Sequence, residues 1–324
     1  MRKKLDYRNL IPIGDRINIS PRKLEDILFY LLEHPSRQIV LQRTLGLPTS
    51  VMRLIRKELR DLLIVERDNY SLNKQYSALV DDLYSKRNKK DEFIVEELTK
   101  CQAKLEQIEN GRRRSKRGID QFRALSHTVT DKISFLYKKG ELEGRRLMFM
   151  GDNDLASIVA AFTSLPESIT VFDVDQELLS LINQLSEDYS LNIECVEYDA
   201  RKKIPERFDS RYHVCVTDPP YTLEGINLFV SRCIQGNGRK NGAIFINYGY
   251  SMRSRERALP IQDTLTKMGL LIEEIIPEFG RYYSAQSIGC QSSLYICKMT
   301  PKTKPLIRGE YKGENIYTKS IQNE

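Results

Sequence analysis

From residue 118 onward the chain alternates short apolar runs with helical stretches, and this alternation limits the fold more than any other feature. The runs are Leu147–Met150, Ile169–Phe172, Ile193–Val196, His213–Thr217, Ala243–Asn247, Leu271–Pro277 and Ser293–Met299. Helical runs such as Leu155–Phe162, Gln176–Leu185 and Arg255–Met268 lie between most of them. Strand, loop and helix in repetition form the pattern of a parallel sheet covered on both faces. It predicts a doubly wound α/β domain over 118–299.

The first 117 residues read differently. Pro21–Glu33, Ser36–Leu45 and Thr49–Leu62 carry helical periodicity, and Leu63–Leu72 has a hairpin pattern turning at Asp68-Asn69. Three helices and a hairpin predict a winged-helix-like domain over residues 1–73. On the third helix, Val51, Leu54, Ile55 and Leu59 make an apolar stripe and Arg53, Arg56, Lys57 and Arg60 a basic face. Such a face meets phosphates or is simply solvated, and the second is the commoner case. Residues 74–117 are helical in period but too polar for a core. They read as a charged connector ending in Arg112-Arg113-Arg114-Ser115-Lys116-Arg117.

With 40% hydrophobic and 29% charged residues in a length of 324, the chain has material for two packed domains. No stretch approaches the roughly 18 consecutive apolar residues of a spanning helix. The opening Met1-Arg2-Lys3-Lys4 has no apolar run behind it, so the expectation is a cytoplasmic protein without membrane contact. Six cysteines with no C-x-x-C pair, and three scattered histidines, argue against a zinc cluster or a Cys-His nucleophile. They predict buried thiols and no metal site. The net charge of +7 is weighted toward the N-terminal half and is a poor guide to a polyanionic partner.

In a doubly wound sheet, ligands bind outside the carboxyl ends of the strands, and there this chain places acids. The first run ends in Gly151-Asp152-Asn153-Asp154, a tight turn into a helix. A phosphate-binding turn keeps glycines so that backbone amides reach an anion, whereas two carboxylates select a cation. One aspartate, with Asp154 the candidate, is expected to cap the next helix. After the second run, Asp173 suits both hydroxyls of a ribose and Asp175 suits a helix cap. Asp199, after the third, can accept from an adenine amino group or simply mark a turn.

The fourth run ends in Asp218-Pro219-Pro220-Tyr221, the most specific signal in the chain. Two prolines forbid helix and remove two amide donors, which holds Asp218 and Tyr221 on a stiff loop. A carboxylate there can bind an amine and take up its proton. The Tyr221 ring can lie against a cation or a planar group.

Amino-methyltransferases acting on adenine or cytosine in nucleic acid share Asp-Pro-Pro-Tyr at this strand. The longer stretch Asp218-Pro219-Pro220-Tyr221-Thr222-Leu223-Glu224-Gly225-Ile226-Asn227-Leu228-Phe229-Val230-Ser231-Arg232 resembles the D-P-P-x-T-x-x-G-x-x-L-F-x-x-R signature of branched-chain polyamine synthases, the bis(aminopropyl)spermidine synthases. Asp120-Gln121, a form of that family's G-D-D-D motif at Gly151 to Asp154, and Asp173-Val174-Asp175 occur in the family's order. The resemblance implies a class I methyltransferase-type, Rossmann-like domain behind a winged helix, and a homodimer. It also implies an aminopropyltransferase, which moves the aminopropyl group of decarboxylated S-adenosylmethionine onto a polyamine nitrogen and releases methylthioadenosine. Asn153 for the middle aspartate, and Ala156 for the usual Thr, depart from the family pattern and bear on the choice of acceptor.

On that reading donor and acceptor are both cations, which suits a pocket of Asp152, Asp154, Asp218 and Glu224. Asp218, with Asp152 second, is expected to take the proton of the attacking amine. Asp154, Tyr221 and Glu224 are expected to hold the acceptor, and Gly151, Asp173, Asp199 and Pro219 the donor. Binding the two terminal ammonium groups of spermidine apart would bring its internal amine to the donor. Two other readings compete: an S-adenosylmethionine-dependent nucleic-acid amino-methyltransferase, and a DNA-binding regulator with a non-catalytic Rossmann domain. The missing glycine-rich turn weakens the first and the intact strand-end carboxylates the second, so nucleic acid is not the favoured partner. Residues 300–324 read as a tail, either free or a lid over the pocket.

Overall fold

The computed structural model describes residues 4–112, 117–238, 241–250, 253, 255–313 and 316–318. Most of the basic run at 112–117 therefore lies outside the described residues. The chain divides into two units, residues 1–96 with 138–140, and residues 97–137 with 141–324.

The first unit holds α1 (Tyr7–Ile17), α2 (Pro21–Glu33), β1 (Ser36–Arg37), α3 (Gln38–Leu45), α4 (Thr49–Glu58), β2 (Leu63–Glu66) and β3 (Asn69–Leu72). Its strands form an antiparallel sheet in the order β1-β3-β2. Ser20, with Pro21 at the first helical position, starts α2. Helix α1 was not among the expected elements, because Pro12 inside it breaks the helical pattern. The buried row of α4 runs through Met52 and Ile55 to Leu59, and Leu54 is 40% exposed, which corrects the stripe read through Val51 and Leu54. Arg53, Arg56, Lys57 and Arg60 are exposed. Helix α5 (Ser77–Gly111) crosses the boundary between the units.

The second unit is built on β4 (Arg146–Met150), β5 (Ser168–Asp173), β6 (Ile193–Glu197), β7 (Val214–Thr217), β8 (Ala243–Tyr248), β9 (Leu271–Arg281) and β10 (Gln291–Lys298). With them go α6 (Ser126–Lys139), α7 (Ala156–Phe162), α8 (Gln176–Asp188), α9 (Leu223–Gly236) and α10 (Leu259–Lys267). The strand order is β6-β5-β4-β7-β8-β10-β9. β4 to β8 pair in parallel, whereas β10 pairs antiparallel with both β8 and β9. The expected parallel sheet is thus a mixed one. The short segment 282–290 between β9 and β10 can only return the chain antiparallel, since a parallel neighbour needs a crossover of a dozen residues or more.

Helices α7 and α8 pack on β5 and β6, and α9 on β4 and β7. The chain moves from β4 outward to β5 and β6, then returns to β7 on the other side of β4. That reversal leaves a crevice at the carboxyl ends of β4 and β7. No described helix is long and apolar enough to cross a membrane.

Arg232 of α9 is fully buried and donates to the carbonyls of Ala200 (2.8 Å), Ile307 (3.3 Å) and Gly309 (2.7 Å). Further along the tail, the Thr222 hydroxyl donates to the Ile316 carbonyl (2.8 Å), and Asp120 accepts from the Thr318 amide (2.8 Å). The tail is thereby fixed at several points by side chains of this unit. Arg232→Met leaves those carbonyls without a charged donor. It is expected to lower the unfolding free energy by about 2–4 kcal/mol in urea denaturation. A loss below about 0.5 kcal/mol would show that the tail is held by other contacts.

Candidate active site

The carboxyl ends of β4, β5, β6 and β7 open into one cleft. Its lining includes Gly151, Asp152, Asn153 and Asp154 after β4, Asp173 at the end of β5, Tyr198 and Ala200 after β6, and Asp218, Pro220 and Tyr221 after β7. Lys132 of α6, Phe229 of α9, the segment Ile119 to Phe122, and Tyr317 of the tail complete the wall.

Gly151 has φ +75°, which glycine adopts at no steric cost. Leu155 closes the turn by donating to the Asp152 carbonyl (2.9 Å). Asp152 is 1% exposed, and its oxygens accept the Ser157 amide (3.3 and 3.2 Å) and the Ser157 hydroxyl (2.5 Å). Asp152 thus holds the Ser157 amide and Asp154 the Ala156 amide, so the two aspartates share the first turn of α7, where a role for Asp154 alone was anticipated. Burial, and next the charge of Asp154, push the Asp152 carboxyl well above the usual range.

Asp154 meets Lys132, with Nζ 2.6 Å from Oδ2 and both side chains under a tenth exposed. Burial disfavours both charges, yet the pair outweighs it. The charge and hydrogen bond of Lys132 hold Asp154 below its ordinary range, and Asp154 and then Asp218 hold Lys132 above its own.

Asp173 accepts the amides of Asp175 (2.9 Å) and Asp152 (3.3 Å). Burial raises it to about 6, partly offset by those donors. Asp175 caps α8 and also receives the Gln121 side chain (3.2 Å).

Burial likewise raises Asp218 to about 7, against the opposing charge of Lys132 and a hydrogen bond from Tyr282. The Tyr282 hydroxyl donates to Asp218 Oδ2 (2.7 Å) and lies 2.9 Å from Ser292 Oγ, which accepts from Asn247 Nδ2 (3.3 Å). A hydroxyl has one proton, so with Asp218 ionised the chain runs in one sense: Asn247 to Ser292 to Tyr282 to Asp218.

The Asp218–Tyr221 loop rests on the first turn of α9. A Cβ on Gly225 would lie 2.7 Å from the Pro220 carbonyl oxygen, which explains the glycine in the signature. The Tyr221 ring stacks on Phe122 (centroids 6.1 Å apart, 9° between planes) and meets Tyr248 edge-on (5.3 Å, 78°).

Of the residues singled out from sequence, Gly151, Asp152, Asp154, Asp173, Asp218 and Tyr221 come together in this cleft. Asp199, Pro219 and Glu224 are not part of its lining. Asp199 is engaged by Arg201 (2.7 Å), and Glu224 is exposed on α9. Asn153 accepts from Arg112 through Oδ1 (3.0 Å) and its carbonyl (2.8 Å). Among the described residues, no group of three His, Cys, Asp or Glu is placed to hold a metal ion.

Sequence reasoning missed Lys132 and Tyr282. Lys132 had a signal: with Val129, Ile133 and Leu136 it completes an i, i+3, i+4, i+7 row whose other members are apolar and buried. Tyr282 had none, since it reaches Asp218 across 64 residues of sequence.

Comparison with known proteins adds to this geometry. Residues 100–323 match the family described as the branched-chain polyamine synthase A C-terminal domain. An uncharacterized protein of Methanocaldococcus jannaschii is 36% identical over 200 residues, 62% of this chain and 49% of that protein. The N(4)-bis(aminopropyl)spermidine synthase of the same organism is 27% identical over 219 residues, 67% of this chain and 60% of that enzyme. The chain thus spans about half to three-fifths of the length of these curated relatives. The crystal structure of the branched-chain polyamine synthase from Thermus thermophilus, in complex with N4-aminopropylspermidine and 5'-methylthioadenosine, has the same fold. Its TM-score is 0.58 at 18% identity, over 96% of this chain and 97% of that one. By the match over residues 100–323, the chain belongs to the branched-chain polyamine synthase family.

Proposed function

We propose that this chain is an aminopropyltransferase that moves the aminopropyl group of decarboxylated S-adenosylmethionine onto the internal nitrogen of a spermidine-like polyamine and releases 5'-methylthioadenosine. The observation that carries this reading is the cleft itself, where Asp152, Asp154, Asp173 and Asp218 meet at the ends of three parallel strands. Such a site suits a sulfonium donor with a free ammonium group and a polycationic acceptor. The N(4)-bis(aminopropyl)spermidine synthases among the relatives, and the molecules bound to the Thermus thermophilus enzyme, support that pair of substrates.

In the transfer, the neutral secondary amine attacks the aminopropyl carbon next to sulfur. A C–N bond forms as the C–S bond breaks, and its electron pair stays on sulfur in the leaving thioether. The proton released from the new ammonium passes to Asp218, whose carboxyl is half ionised near neutral pH. Asp173, fixed by two amides, takes the ribose hydroxyls of the donor, with Gly151 giving the close approach. Asp154 anchors an ammonium group of the acceptor, and Tyr221 packs against the substrate chain.

The same reading takes the first unit as a winged helix, supported by the order α2, β1, α3, α4, β2, β3. It takes the enzyme as a homodimer, supported by Leu271 and Ile275, which are exposed on the edge strand β9. It also places the enzyme in the cytosol, where buried free thiols such as Cys215 and Cys233 stay reduced.

The product tests this function. After incubation with decarboxylated S-adenosylmethionine and spermidine, mass spectrometry with fragmentation is expected to show the branched N4-aminopropyl isomer together with 5'-methylthioadenosine. Linear spermine as sole product would remove the internal-nitrogen geometry, and methyl transfer from S-adenosylmethionine to nucleic acid would remove the reaction class.

Asp218→Asn is expected to lower turnover by about two to four orders of magnitude and to abolish the rise of rate with pH centred near 7. Stability should respond in the opposite sense. A carboxyl raised from its usual value near 4 to about 7 binds its proton more tightly when folded, so its contribution is full below pH 4 and is lost as pH rises through 7. The amide variant should therefore hold its melting temperature better than wild type above pH 7. A variant within a few-fold of wild-type activity would remove Asp218 as proton acceptor.

A further inference from the structure

We propose that Lys132 is a positioning residue that gives Asp154 and Asp218 separate roles, holding Asp154 as a permanent anion and leaving Asp218 as the group that gains and loses the proton. The inference rests on the aminopropyl-transfer reading above. It names a residue that the family signature read from the sequence does not contain.

The geometry is specific. Lys132 lies on the buried side of α6, where Val129, Ile133 and Leu136 are its neighbours on one row. A lysine there costs several kcal/mol unless its charge is matched. It is matched by Asp154 at 2.6 Å, on the wall of the cleft that also holds Asp218. A lysine needed only to tie α6 to the turn after β4 could do so at the surface, with no carboxylate of the cleft consumed.

The consequence concerns proton counting. Two carboxylates sharing one water-poor cleft with no cation titrate as a coupled pair, and one of them keeps a proton well into the neutral range. An acceptor ammonium anchored at Asp154 and a proton taken by Asp218 require both groups to be ionised before the reaction begins. Lys132 meets that requirement for Asp154 without a substrate present. Asp218 is left with neutral donors in contact, Tyr282 and Tyr221. The other titratable groups lining the cleft with it are Asp120 before α6, Asp152 and Asp154 from the turn after β4, Asp173 from β5, Tyr198 after β6, Lys132 from α6 and Tyr317 of the tail, and Ser292 of β10 acts through Tyr282.

The test reads protonated carboxyl groups directly and needs no turnover. The pH-dependent infrared band of protonated carboxyls is recorded for the full chain as wild type, Asp154→Asn, Lys132→Met, and Lys132→Met with Asp154→Asn. In the wild-type background, Asp154→Asn should remove no band that titrates above pH 5 and only move that of Asp152 downward, because the neighbouring charge is gone. In the Lys132→Met background it should remove one such band, because Asp154 then carries a proton. Lys132→Arg should behave as wild type. If Lys132→Met does not fold by circular dichroism, Lys132→Gln takes its place.

In kinetics, the acidic limb of the kcat/KM profile should release one more proton in Lys132→Met than in wild type, while Lys132→Arg keeps the wild-type slope. An unchanged set of titrating carboxyls in Lys132→Met would overturn the proposal and leave Lys132 as a packing residue. Failure of every variant and the wild type to release 5'-methylthioadenosine from decarboxylated S-adenosylmethionine would instead overturn the reaction, with the infrared titration still deciding whether Lys132 sets the charge of Asp154.

Discussion

Like charges cannot be left free in a cleft of low polarity, and Asp152, Asp154, Asp173 and Asp218 share one. Each is settled by a different device, and each device belongs to a different part of the second unit. Ser157, at the start of α7, takes Asp152; Lys132 of α6 takes Asp154; and the amides of Asp152 and Asp175 take Asp173. Tyr282, next to the antiparallel edge, takes Asp218 and is itself backed by Ser292 of β10. The mixed edge of the sheet is therefore joined to the chemistry. Without the return of β9 into β10, Tyr282 and Ser292 would not stand beside the loop that follows β7.

Much of the second unit was legible because parallel strands buried on both faces are plain apolar runs. β4 to β8 lie within a residue or so of the runs read from the sequence. The direction of β9 and β10 was not legible, since an apolar run carries no sign of which way its neighbour points. In the first unit, the phase of α4 was ambiguous because Val51, Met52, Leu54 and Ile55 offer two overlapping rows, and only packing selects the row through Met52. Asp173 and Asp218 could be singled out from their place after a strand. The division of labour between Asp152 and Asp154 could not, because either spacing suits a cap at the start of α7 and the deciding partner, Lys132, sits on another element.

Two features set the charge of the turn after β4, and the first departs from the family pattern read in the sequence. Asn153, at the position of the family's middle aspartate, accepts from Arg112 with its amide oxygen, so the turn after β4 carries one negative charge fewer. Lys132 neutralises another. The tail adds Tyr317 to the wall and is anchored through Arg232, Thr222 and Asp120, residues that also frame the Asp218–Tyr221 loop and the segment before α6. Tail, loop and cleft thus form one connected set of contacts.

S-adenosylmethionine differs from its decarboxylated form by a single carboxylate beside the ammonium group, and a cleft lined by aspartates should reject it. The direct measurement is the dissociation constant of each form by calorimetric titration of the full chain at neutral pH. Decarboxylated S-adenosylmethionine should bind at least about tenfold more tightly, a difference of about 1.4 kcal/mol. Equal or tighter binding of S-adenosylmethionine would contradict a cleft built to select cations.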